Sequence, residues 1–130
     1  MKIDIKKTVL TAGVAVMMMT SAAVAGSSYS HYNTTIGKFN GNGYTGYQTK
    51  NTAGANGYIK STKVGGDYVV DVRMNGPSGN GSWVRNLDDK DNRSLPGSAK
   101  MKKGCLVRAQ FSNDWNTPVA VQVVGQWKSN

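Results

Sequence analysis

Five Asn-Gly pairs, beginning at Asn40, Asn42, Asn56, Asn75 and Asn80, punctuate a 130-residue chain that carries 16 glycines. Each pair favours a turn with positive φ. Between and after them the chain runs in short stretches separated by Gly and Asn. From Gly43 onward those stretches are β-type in composition, and none carries an apolar stripe of 3.6-residue period. The expected fold class is all-β.

Two hairpins stand out. Tyr58–Val64 and Asp67–Met74 flank Gly65-Gly66, a loop that suits a primed turn. Counting outward sets Ile59 opposite Val72 and Lys60 opposite Asp71, with Ile59, Val70, Val72 and Met74 on the core face. A second hairpin is expected between Cys105–Phe111 and Val119–Trp127 through Ser112–Pro118. Cys105, Val107, Ala109 and Phe111 form one inward row, and Val119, Val121, Val123 and Trp127 the other. Gly81–Leu87, with Trp83, and Tyr44–Lys50 supply further strands, and Trp83 and Trp127 are read as core. A single sheet would leave both apolar rows wet on one side. A small antiparallel β-sandwich of about five to six strands therefore follows, with a small closed β-barrel as the alternative.

Residues 1–25 read as a secretory signal peptide of bacterial type. Lys2, Lys6 and Lys7 form a positive start, Thr8–Val24 an apolar run, and Ala23-Val24-Ala25 the small-x-small cleavage motif. The mature chain is expected to be secreted and extracellular, starting near Gly26. Residues 26–42, rich in Ser, Asn, Gly and Thr, lack a sustained period and are expected to form a flexible N-terminal arm. Residues 43–130 then make a single β domain.

Charge bounds the partner. The formal net charge is +9, falling to about +7 once residues 1–25 are removed. The sequence contains no Glu, and the mature acids are only Asp67, Asp71, Asp88, Asp89, Asp91 and Asp114. The surplus Lys and Arg must therefore look outward. An anionic membrane surface or cell-wall polymer is the expected partner, ahead of extracellular nucleic acid. Lys100, Lys102, Lys103 and Arg108 form the densest basic stretch. Trp115, a large aromatic inside the polar loop Ser112–Pro118, is the candidate contact residue beside them.

Catalytic patterns are sparse. His31 is the sole histidine and sits in the expected arm, and with no Glu a carboxylate pair would need two of six scattered Asp residues. The chain is read as non-enzymatic and free of cofactor. Asp88, Asp89 and Asp91 cluster in the manner of a calcium ligand set, but Lys90 and Arg93 offset them, so they are read as a solvated turn with no metal assigned. Cys105 is the only cysteine, so no intrachain disulfide can form, and its apolar neighbours place it as a buried thiol. Two function classes remain. The first is a cationic binding protein of the cell envelope, of bacteriocin-like or antimicrobial type. The second is a structural or adhesive surface module that recognises carbohydrate or protein through aromatic side chains.

Overall fold

The computed structural model describes residues 23–130. Apart from its last three residues, the expected signal peptide lies outside the described residues. The described chain is all-β and holds no helix. Its strands are β1 (Val24–Ala25), β2 (Ser30–Ile36), β3 (Asn42–Tyr44), β4 (Gln48–Thr49), β5 (Gly57–Val64), β6 (Val70–Gly76), β7 (Gly79–Asn80), β8 (Val84–Leu87), β9 (Asn92–Leu95), β10 (Leu106–Asn113) and β11 (Val121–Lys128). These eleven strands, against the five to six expected, form two sheets, antiparallel throughout except where β1 runs parallel to β4, so the closed barrel is ruled out. The four-stranded sheet runs β9-β5-β11-β2. The seven-stranded sheet runs β1-β4-β10-β6-β7, with β3 also on β10 and β8 also on β6.

The inward rows are close to those the alternation predicts. Ile59, Val70, Val72, Met74, Val107, Ala109, Phe111, Val121, Val123 and Trp127 all belong to one buried cluster fed by both sheets. The pairings, however, differ from both expected hairpins. β5 pairs with β9 and β11, whereas β6 pairs with β10, β7 and β8. β10 and β11 likewise lie in different sheets. Residues 65–69 and 114–120 are therefore crossings between sheets. The reason is burial. A hairpin would put the Ile59 row and the Val70-Val72-Met74 row side by side on one sheet, while splitting the strands puts the rows face to face, where each covers the other. Lys60 consequently faces Asn92 and Gln126 instead of Asp71.

Residues 26–42 are not a flexible arm. β2 pairs with β11 over seven residues, from Ser30 opposite Trp127 to Ile36 opposite Val121. Tyr32 and Ile36 are buried in the core. A strand with only two large apolar inward residues has little periodic signal, yet Thr34, Thr35 and Ile36 are β-branched and pack well on a pleated surface. Three further expectations change. Cys105 precedes β10, is only half-buried, and accepts a contact from the Ser78 hydroxyl at 3.4 Å. Val119 lies outside β11 and is exposed. Trp83 lies just before β8 and is half-buried on the outer face of its sheet.

Candidate anion-binding surface

The outward side chains of β6 and β10 lie side by side, because Asp71 is registered with Ser112, Arg73 with Gln110 and Asn75 with Arg108. β3 extends the row, with Tyr44 opposite Gln110 and Asn42 opposite Ser112. β8 brings Arg85, and the residue before it brings Trp83. Three arginines and three large aromatics thus share the outer face of the seven-stranded sheet.

Each arginine is held in place. The Arg108 guanidinium lies 3.9 Å from the Tyr44 ring centroid and 5.0 Å from that of Tyr47. Its Nε donates to Asn75 Oδ1 at 2.8 Å, and Asn75 Nδ2 donates to Asn80 Oδ1 at 2.8 Å. Arg73 lies 4.4 Å from the Trp83 centroid and donates from Nε to Gln110 Oε1 at 2.8 Å. Gln110 Nε2 in turn donates to Asn42 Oδ1 at 3.1 Å. Among the described residues the terminal nitrogens of Arg73 and Arg108 make no hydrogen bond. Stacking and the Nε bond therefore fix each stem and leave the planar fork free to take a carboxylate or phosphate.

Arg85 differs. It pairs with the buried Asp71 at 2.6 Å, and the second Asp71 oxygen accepts the Asn86 N–H at 3.1 Å. Among the described residues Asp71 is the one carboxylate on this face, and it is spent. The face accordingly carries a net positive charge that no partner among the described residues offsets.

The five residues singled out from the sequence are not brought together. Arg108 is central to the face just described. The Lys100 stem packs over Gly79 in β7, near the Asn75 and Arg108 end. Lys102 and Lys103 are exposed on the loop before β10, which is anchored by the fully buried Met101. Trp115 lies beyond the other end of β10, roughly 23 Å of strand away, and is 78 % exposed. Sequence reasoning missed Arg73, Arg85, Tyr44, Tyr47 and Trp83 as one group. The available signal was the polar row Asp71, Arg73, Asn75 alternating with Val70, Val72, Met74.

Elsewhere the titratable groups serve the fold. Asp89 accepts the Val64 N–H at 2.6 Å, Asp88 the Asp89 N–H at 2.7 Å, and Asp91 the Asp88 N–H at 2.9 Å, so this acidic turn caps its own backbone and the end of β5. Among the described residues no group of three His, Cys, Asp or Glu side chains gathers as a metal site would require. Lys50 is buried, and its ammonium donates to the Ser129 carbonyl at 2.6 Å and to that of Ala55. Burial lowers its pKa. On the opposite sheet, Lys60 Nζ lies 4.4 Å from the Tyr29 centroid and Lys128 Nζ 5.1 Å from it. A groove of about 350 Å³ opens there between Tyr29, Tyr58, Lys60, Asn92 and Ser94. Comparison with protein-family models, curated proteins and solved structures finds no match.

Proposed function

We propose that the mature chain is a secreted, non-enzymatic, cationic antiparallel β-sandwich that binds an anionic polymer of the cell envelope through the outer face of the sheet built on β6 and β10. One observation carries this reading. Among the described residues Arg73 and Arg108 are each stacked on an aromatic ring and tethered through Nε, with their forks unpaired, while the single carboxylate nearby is taken by Arg85. Preorganised guanidinium groups lose little freedom when they take up an anion. Lys100, Lys102 and Lys103 extend the positive field at one end of the face. The exported location rests on the motif of residues 1–25, and a bacteriocin-like consequence would be read as growth inhibition of a target cell.

The test is binding of the mature protein to isolated anionic wall polymer over a range of salt. Affinity should fall as the screening length contracts to about 8 Å at physiological ionic strength. Replacing Arg73 and Arg108 together by Gln should weaken it at least about tenfold, and a Lys100, Lys102, Lys103 to Gln triple variant should weaken it less. Unchanged binding by the double arginine variant would sink the assignment to this face.

The adhesive reading is favoured by the groove at Tyr29 and Tyr58, whose size and aromatic walls suit a single sugar ring. Competition by a neutral monosaccharide, with little effect of salt, would support it over the first.

A further inference from the structure

The envelope reading supplies a surface for the charged face but leaves one end of the molecule unexplained. There the loops 37–41 and 114–120 lie against each other. Phe39 N–H donates to the Thr117 carbonyl at 2.8 Å, Asn40 N–H to the Asp114 carbonyl at 3.1 Å, and Asn113 N–H to the Gly41 carbonyl at 3.0 Å. Asn113 Nδ2 adds a bond to the Gly37 carbonyl at 2.9 Å, and Thr117 is buried beneath. The backbone of this double loop is thus pinned. Its large apolar side chains nevertheless point outward, with Trp115 78 %, Phe39 55 % and Val119 44 % exposed.

Phe39 and Asn40 also hold φ of 53° and 61°. Asn tolerates that conformation, but a bulky residue such as Phe rarely adopts it, because its Cβ crowds the backbone. A Gly or Asn at position 39 would satisfy the turn with less strain. The chain instead places a large ring there and turns it to solvent. Backbone strain maintained by surrounding bonds is a mark of a working surface.

We propose that this end is a membrane-docking tip, in which Phe39, Trp115 and Val119 enter the interfacial region of an anionic lipid bilayer. Three features choose lipid over a protein partner or a second copy of the chain. The exposed apolar side chains sit on two loops bonded to each other, with no groove described between them, whereas the groove among the described residues lies on the outer face of the four-stranded sheet. Trp and Phe with an adjacent lysine, here Lys38 with Nζ 5.8 Å from the Phe39 centroid, is the composition that partitions into headgroup boundaries. Finally, Lys38 and Asp114 leave the tip close to neutral, so it contributes apolar burial while the rest of the basic chain supplies attraction to the membrane. The inference rests on the envelope reading only for the presence of a membrane.

Trp115 is its own reporter, because Trp127 is buried and Trp83 is half-buried beneath Arg73. On adding vesicles of phosphatidylglycerol and phosphatidylcholine in equal parts, tryptophan emission should shift to the blue and be quenched by brominated acyl chains. Trp115→Phe should abolish that signal while vesicle pelleting persists. Phe39→Asn should raise the thermal midpoint by relieving the backbone, yet weaken vesicle binding by about tenfold or more. Misfolding cannot produce that combination. Binding to wall polymer by Phe39→Asn should match the parent, which separates this tip from the arginine face. The proposal is overturned if the protein pellets with vesicles while Trp115 emission stays unshifted. It is equally overturned if the shift appears without lipid as the chain self-associates, or if Phe39→Asn binds vesicles as the parent does.

Discussion

Tyr32 and Phe111 meet across the two sheets with ring centroids 5.1 Å apart and planes tilted by 42°. The pair joins β2 to β10, the strand that carries Arg108 on its other side. Truncating Tyr32 to Ala should cost about 3 to 5 kcal/mol of stability, since it removes a buried ring from the centre of the core. A denaturant midpoint close to that of the parent would mean that β2 is not integral to the fold.

The Tyr32 hydroxyl gives a second, pH-dependent consequence. Burial pushes its pKa up to about 12, with the neighbouring Ser61 hydroxyl pulling weakly the other way. The unfolded chain ionises near the ordinary value of 10.0, so it releases its proton first as pH rises. Stability contributed by the neutral form is therefore complete below pH 10 and is lost progressively up to about 12, amounting to about 2 to 3 kcal/mol. Lys50 acts in the opposite sense, because its pKa is lowered by burial and the unfolded chain holds the proton longer. Its penalty is relieved as pH climbs toward the ordinary lysine value of 10.5. Tyr32→Phe isolates the first effect. Its melts should diverge from those of the parent above pH 10 and coincide with them, or lie slightly higher, at neutral pH.

Gly125 sits where the register of β11 against β5 shifts, between Val124 opposite Lys63 and Gly125 opposite Ser61. A Cβ at this position would run into the Lys60 carbonyl and the Tyr32 hydroxyl. Gly125→Ala should destabilise by about 1 to 3 kcal/mol through overpacking against backbone that cannot move aside. Thermal denaturation measures it, and a neutral result would show that the bulge can relax.

Arg108→Lys keeps the charge but loses the planar fork, the stack on Tyr44 and the Nε bond to Asn75. Affinity for anionic polymer should drop several-fold while the salt dependence keeps nearly the parent slope. Isothermal titration at two ionic strengths distinguishes this from a simple charge effect, for which Lys would serve as well as Arg.

Processing makes a further prediction. The expected scissile bond joins Ala25, in β1 and registered with Thr49, to Gly26, which is buried and donates its N–H to the Thr49 carbonyl at 2.8 Å. Proteases need an extended, accessible strand, so the folded precursor should resist cleavage there. Mass spectrometry of exported protein should give a chain starting at Gly26, whereas a folded full-length chain incubated with signal peptidase should remain uncut.

The class of fold and most of the core were legible in the sequence because their signals are local. Alternation of period 2 states which side of a strand is apolar, and Val70, Val72, Met74, Val107, Ala109 and Phe111 occupy the inward side as their spacing requires. The same alternation is silent about which strand lies alongside. Gly65-Gly66 can close a hairpin or turn the chain across to a second sheet, and only the demand that two apolar rows cover each other selected the crossing. β2 was invisible for a related reason, since Tyr32 and Ile36 become core residues only when Phe111 and β11 are there to receive them. The arginine face follows the same rule. Arg108 meets Tyr44 and Arg73 meets Trp83 because β3, β6, β8 and β10 are neighbours in space, and pairing between strands distant in sequence is a property of the packed sheet as a whole.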